Sequence, residues 1–361
     1  MTGSAMALPA TQFEVTADWL DRILANATDW SGGAITSVVL EPIGGGDALA
    51  SAVFHARATR ESGTDAHLLV KMQTGDSPDA IAWMYESETY FYNHYARRAG
   101  VPVPQTYFAA FDSHATRFHL IQEFLTDATP GTATEYLSDH DLLRATTNLA
   151  DLHAAWWDSS ELLSDTGVRR IRDLIARSTA VLLKSEQNPV PGFLRIFGDQ
   201  LPTDVTTFFE SMPLWRPLLI EASSPHATLI HADCSAKNTM LPSDPSRPPV
   251  LIDWAFFHSG MGPYDLAVLS GESASPESQE NVSQLLEIYL ERLRSLGVQH
   301  YGMDELRTDF VHAVMFRSYS LLANATFGTP ARLAQVENTL PSVVALLQTT
   351  GALDLAKQLL A

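Results

Sequence analysis

LIHADCSAKNTML (residues 229–241) followed by VLIDW (residues 250–254) is the stretch around which the rest of the chain can be ordered. Apolar Leu229 and Ile230 read as a strand running into a polar loop, and Thr239–Leu241 and Val250–Ile252 read as an antiparallel hairpin around a Pro/Ser-rich turn. Such a hairpin brings Asn238, which precedes one strand, beside Asp253, which follows the other. Their carboxamide and carboxylate oxygens can then converge on one hard cation such as Mg²⁺, with substrate oxygens and water completing an octahedron. Asp233 stands five residues ahead of Asn238, within reach of that site without being a ligand, and can accept a proton. This set suits attack of a hydroxyl on a phosphoryl group, where the protein mainly positions reactants and neutralises charge.

Upstream, Phe13–Trp30 reads as an amphipathic helix closed by Gly32-Gly33. Strands follow over Ser37–Ile43, Ala52–Ala58 and His67–Met72, with Gly44-Gly45-Gly46-Asp47 as a turn between the first two. Ile81–Arg98 reads as a helix, and Thr106–Phe111 with Phe118–Phe124 as a strand pair. From about Thr126 the pattern becomes helical, notably over Asp139–Trp157, Val168–Lys184, Gln279–Leu296, Asp304–Ala323 and Arg332–Leu347. The expected fold class is therefore α+β in two lobes. Residues 1–123 form a small antiparallel sheet lobe with one crossing helix, preceded by helix 13–30, and residues 124–361 form a larger, mainly helical lobe. The triple glycine lets backbone N–H groups approach phosphates closely, and Lys71, ending the apolar run Leu68-Leu69-Val70, presents an ammonium. Either feature alone is ordinary; their order ahead of residues 229–254 gives them weight.

His231-x-Asp233-x-x-x-x-Asn238 with Ile252-Asp253-Trp254 resembles the catalytic loop and metal-binding segment of the aminoglycoside phosphotransferase/choline kinase-like family. LADLHA (149–154) and GPYDLA (262–267) carry the resemblance over most of the chain, and Trp19-Leu20 with ETYFY (88–92) is most similar to the ecdysteroid- and choline-kinase-like branch. The resemblance implies a bilobal protein-kinase-like fold, ATP and Mg²⁺ as cofactors, and transfer of the γ-phosphate to a hydroxyl of a small alcohol, amino alcohol, sugar or aminoglycoside. Asp233 would be the catalytic base, and Asn238 and Asp253 the Mg²⁺ ligands. Gly44, Gly45, Gly46 and Lys71 would hold phosphates, and backbone groups of Glu123, Phe124 and Leu125 would hold adenine. A carboxylate on helix 81–98 would hold Lys71. Glu86 and Glu88 lie roughly 200° apart around a helix axis, so only one faces inward, and the resemblance favours Glu88.

The family usually has glycine where this chain has Ala232, and an alanine there is expected at negative φ. His231 is expected to brace the metal-binding turn, His153 to be a hydrogen-bonded core residue, and Asp265 to be a bracing carboxylate or helix N-cap. Cys234 has no specified base and is not read as a nucleophile, while Lys237 either approaches the γ-phosphate or is solvated. Acceptor-pocket candidates are Trp156, Trp157, Trp254, Phe256, Phe257, Tyr264, Arg317 and Tyr319, although aromatic residues at helical spacing are more often core. No Ala-Pro-Glu motif follows Asp253, which disfavours a protein kinase. A nucleotide-binding pseudokinase acting as an interaction module is the alternative, and the retention of Asp233, Asn238, Asp253 and Lys71 speaks against it.

Composition sets outer bounds. With 361 residues, 45% hydrophobic and 18% charged, the chain can bury more than one core. Its formal charge of −19 opposes binding to nucleic acid or an anionic membrane surface, so the expected partner is a small-molecule hydroxyl acceptor, with the protein a monomer or homodimer. Cys234 is the one cysteine, which excludes an intrachain disulfide and a cysteine zinc site. The N-terminal sequence lacks a signal-peptide pattern and no long apolar run occurs, so a cytoplasmic location is expected.

Overall fold

The computed structural model of the protein describes residues 7–43, 51–74, 79–132, 135–221 and 224–361, with backbone alone at 79 and 80. The Gly44-Gly45-Gly46 turn lies outside these residues. The chain divides into two units, one of Met1–Arg97, Val103–Asp127 and Asp253–Phe256, the other of Arg98–Pro102, Ala128–Ile252 and Phe257–Ala361.

In the first unit, helix α1 (Ala17–Leu24) precedes β1 (Ile35–Pro42), β2 (Ser51–Arg60), β3 (Asp65–Gln73), α2 (Asp79–His94), β4 (Thr106–Asp112) and β5 (Arg117–Glu123). The strands form one antiparallel sheet in the order β1-β2-β3-β5-β4. Strand alternation sends Ala66, Leu68, Val70 and Met72 of β3 into a core with Phe54, Ala56 and Ala58 of β2 and Trp19, Leu20, Ile23 and Leu24 of α1. Each such large side chain contributes roughly 1.5–3 kcal/mol on burial. His67, Leu69 and Lys71 take the other face, with Lys71 paired in register with Val53. Helix α1 is shorter than the expected 13–30. Thr16 caps it by accepting from the Trp19 amide at 3.2 Å, and past Leu24 the Asn26 side chain donates back to the Arg22 carbonyl at 2.7 Å.

The second unit contains β6 (Ala128–Pro130), α3 (Asp139–Trp156), α4 (Ser160–Ser164), α5 (Ile171–Leu182), α6 (Val190–Phe197), α7 (Thr203–Glu210), α8 (Met212–Glu221), β7 (Thr228–Ile230), β8 (Thr239–Pro242), β9 (Val250–Leu251), β10 (His258–Gly260), α9 (Pro263–Ser273), α10 (Val282–Ser295), α11 (Met303–Arg317), α12 (Tyr319–Phe327), α13 (Pro330–Thr349) and α14 (Ala352–Leu360). The expected hairpin is present, with Thr239 opposite Leu251 and Met240 opposite Val250. One expected helix, Asp304–Ala323, is instead two. Arg216, 1% exposed, takes the Phe316 carbonyl at 2.8 Å and the Ser318 hydroxyl takes that of Met315 at 2.8 Å, so the helical ladder ends at Ser318 and restarts.

Candidate active site

In the second unit, β7 delivers the chain into a loop whose start is pinned by Asp265 of α9. Asp265 is fully buried, and its carboxylate accepts from the amides of His231 at 2.8 Å and Ala232 at 2.7 Å, while His153 Nε2 lies 3.2 Å from Oδ2. His153, also fully buried, bonds Tyr289 through Nδ1 at 2.8 Å, which makes it the core residue expected. A Cβ on Gly262 would fall 2.4 Å from the Tyr289 hydroxyl and 2.9 Å from His153 Nδ1, so glycine is required for α9 to start there. Asp265 is thus the bracing carboxylate, not the N-cap. His231 donates from Nε2 to the Ile252 carbonyl at 2.9 Å, and its Nδ1 accepts from the Asp233 amide at 3.3 Å, so it ties the loop to the strand preceding Asp253.

Ala232 departs from expectation. Its φ is +62°, the left-handed region that glycine occupies freely and alanine only at a cost of about 1–2 kcal/mol. The short bond from its amide to Asp265 holds it there, and this backbone reversal sets the direction of Asp233. Cys234 is buried and donates to the Asp265 carbonyl at 3.3 Å; burial, with Asp265 and Asp233 nearby, pushes its thiol well above the ordinary range. It is chemically quiet.

Asp233 receives the Asn238 carboxamide N–H on Oδ2 at 2.9 Å, and the same group bonds the Asp233 carbonyl at 2.7 Å. The nitrogen end of Asn238 is therefore spent, and its carbonyl oxygen is the end suited to a cation. Ile252 donates its amide to the backbone carbonyl of Asn238 at 3.0 Å and is followed directly by Asp253. Lys237 Nζ lies 3.5 Å from Asp233 Oδ2, and Arg317 Nη2 lies 3.7 Å from Oδ1. Arg317 in turn grips Glu272, with Nε 3.1 Å from Oε1 and Nη2 on the same oxygen. Burial lowers the Arg317 pKa, but Glu272, Tyr264 and Asp233 more than offset this and hold it above its usual value.

In the first unit, Lys71 is 8% exposed and donates to Glu88 Oε1 at 2.8 Å and to Asp253 Oδ1 at 3.0 Å. Burial alone would lower the lysine pKa; the carboxylates of Asp253 and Glu88 outweigh it and raise it, so the ammonium persists. Glu88 is buried and Glu86 exposed, as helix geometry requires of residues two apart. Asp253 has φ +62°, and Trp254 beside it is fully buried with its ring parallel to that of Phe91, 3.8 Å between centroids. At the end of β5, the Glu123 amide donates to Gln105 at 2.9 Å and the Phe124 amide to His67 at 3.2 Å. Of the backbone groups expected at adenine, the N–H groups of Glu123 and Phe124 are therefore engaged within the first unit.

The acceptor candidates separate. Arg317 comes to Asp233. Trp156, Trp254, Tyr264 and Phe257 are buried, Trp156 donating to the Arg98 carbonyl at 3.1 Å. Trp157 packs its ring 4.9 Å from Tyr301, Phe256 packs against Trp83 at 5.3 Å, and Tyr319 lies under the Arg216 guanidinium at 5.0 Å. These aromatic rings take packing roles. Glu272 and Arg332 were not among the candidates. Glu272 lies seven residues after Asp265, two turns along the same face of α9, which is the signal that could have found it; nothing in the local sequence marks Arg332.

The family model described as "Phosphotransferase enzyme family" matches residues 44–306 of the chain. No curated protein matches it. Among solved structures, one described as a candidate aminoglycoside phosphotransferase from Ralstonia eutropha JMP134 is 14% identical, with 94% of this chain and 97% of that chain covered and a TM-score of 0.58. Macrolide 2′-phosphotransferase from Brachybacterium faecium is 17% identical over 89% of this chain and 98% of that chain, TM-score 0.51. The GDP and kanamycin complex of APH(2″)-IIia is 13% identical over 86% and 92%, TM-score 0.52. At these identities the likeness is one of fold, and it bears out the α+β, protein-kinase-like architecture. Among the described residues, no helix is long and apolar enough to cross a membrane.

Proposed function

We propose, because this chain belongs to the phosphotransferase enzyme family, that it is a Mg²⁺-dependent kinase moving the γ-phosphate of ATP to a hydroxyl of a small molecule. The observation that carries the reading is the buried Lys71 ammonium bonded to both Glu88 and Asp253. A lysine held in this way is set to meet phosphate oxygens, and its helix carboxylate fixes its direction. The oxygens of Asn238 and Asp253 are the hard donors Mg²⁺ prefers, and the ion would supply charge neutralisation at the phosphates.

Asp233 takes the proton of the acceptor hydroxyl. The acceptor oxygen forms its bond to the γ-phosphorus as the bond from that phosphorus to the β–γ bridging oxygen breaks, and the electron pair leaves on ADP. Asn238 orients the Asp233 carboxylate, and the Asp265-braced loop keeps it in place. Replacing a positioned general base typically costs about 10²–10⁴-fold. Asp233→Asn should therefore lower acceptor-dependent ADP release by that order while Mg-ATP still raises the melting temperature. Undiminished transfer by Asp233→Asn would remove the base assignment.

A further inference from the structure

Cationic side chains gather around Asp233 in a chain that is acidic as a whole. Near this carboxylate stand Lys237, Arg317 and Arg332, against two further carboxylates among the described residues, Glu272 and the fully buried Asp265, whose oxygens are taken up by the His231 and Ala232 amides. Glu272 is already committed. Arg317 holds one oxygen, and Gln335 Nε2 lies 3.5 Å from the other. A cavity adjoins the Arg317–Glu272 pair, bounded also by Ser318, Ser320, Leu321 and Val343, and among the described residues Glu272 is the one carboxylate lining it. An ammonium-bearing acceptor would find little here to receive its charge.

Arg332 is the unusual member. It stands in the first turn of α13, half-buried, and its Nη1 donates to the neutral Asn324 Oδ1 at 2.7 Å. Among the described residues no carboxylate lies within ion-pair distance of it, although Asp233 and Glu272 are close enough to act on its charge. Burial lowers its pKa and Arg317 adds to that, with Asp233 and Glu272 opposing. Partial burial of a guanidinium without a paired carboxylate is costly, and a planar fork of donors is the geometry that recognises oxyanions bidentately. Gln335, one turn along the same face, adds an amide directed to the same network.

We propose that the hydroxyl acceptor carries an oxyanion, a carboxylate or a phosphate, and that Arg332 binds it beside Asp233. This rests on Asp233 being the base of the phosphotransferase reading above. The sign of the chain's total charge of −19 is thus a poor guide to its substrate.

The test is acceptor-stimulated ADP release at saturating Mg-ATP with a matched set of primary alcohols: 4-hydroxybutyrate, 1,4-butanediol monophosphate, 4-hydroxybutyramide and 4-amino-1-butanol. The expected result is a kcat/KM about tenfold or more higher for one of the two anionic alcohols than for the amide or the amine, and which anion leads identifies the oxyanion. Arg332→Gln should erase that preference through KM, lowering kcat/KM for the leading anion about tenfold or more beyond any change with the amide, and Arg332→Lys should keep part of it. An amide or amine that matches both anions overturns the proposal, as does a preference unchanged in Arg332→Gln. No transfer to any of the alcohols, with ATP turnover unchanged in Asp233→Asn, would instead overturn the phosphotransferase reading and this proposal with it.

Discussion

Replacing Asp265 by asparagine keeps the shape of the side chain and removes half of its accepting capacity. In the native protein the two carboxylate oxygens serve the amides of His231 and Ala232 at 2.8 and 2.7 Å, with His153 Nε2 at 3.2 Å from one of them. An asparagine has one acceptor oxygen, so its NH₂ end must face either a loop N–H or the histidine ring. Leaving a buried donor without a partner costs about 1–3 kcal/mol, and exchanging a charged acceptor for a neutral one costs about 1 kcal/mol more. Roughly 3 kcal/mol is the expected local loss, close to a hundredfold in the opening equilibrium of the loop. Ala232 adds to this, because its positive φ persists only while that amide bond holds it. The assay is amide hydrogen exchange at residues 231–232 in Asp265→Asn beside the native protein, with kcat measured in parallel. Protection should fall about a hundredfold and kcat with it. Adding Ala232→Gly should recover about 1 kcal/mol by removing the left-handed strain. Unchanged exchange at Ala232 in Asp265→Asn would refute the account of what holds the loop.

Three further outcomes follow from the first unit. His119 is fully buried with neither ring nitrogen bonded among the described residues, and burial, with the Arg117 charge behind it, lowers its pKa to about 4. The unfolded chain therefore binds this proton first. The stability that neutral His119 allows is complete above about pH 6.5 and is lost as pH falls toward 4, by about 3 kcal/mol. His119→Phe should flatten that acid limb in melting curves recorded across this window. Lys71→Met leaves Glu88 buried without its partner and should destabilise the unit by about 3–5 kcal/mol, whereas Lys71→Met with Glu88→Leu should restore melting without restoring turnover. Trp254→Ala removes the ring stacked on Phe91 and should cost about 3–5 kcal/mol in thermal denaturation.

The loop and hairpin of residues 229–254 were legible because cation and proton chemistry restrict residue type and spacing together. That only one of Glu86 and Glu88 faces inward was legible from helix geometry, and the resemblance picked out Glu88. Other features were hidden for identifiable reasons. Helices α6, α7 and α8 lie in a stretch containing Pro189, Pro191, Pro202, Pro213 and Pro217, residues that read as breaks yet here sit at or near helix starts, or inside α8 in the case of Pro217. The division at Ser318 depends on Arg216, about a hundred positions earlier. The φ of Ala232 is dictated by a carboxylate from α9, and Arg332 comes near enough to feel the charge of Asp233 only through tertiary packing. Nothing local encodes either.

The segment Asp253–Phe256 belongs to the first unit although the chain on both sides of it belongs to the second. The small unit is therefore not a separable module of the gene. A polypeptide ended after Asp127 would contain the whole five-stranded sheet, yet it would leave one face of Phe91 bare and Lys71 with Glu88 but without Asp253. The last piece of the sheet-bearing half arrives only after more than a hundred further residues have been synthesised, so that half reaches its finished form late in translation.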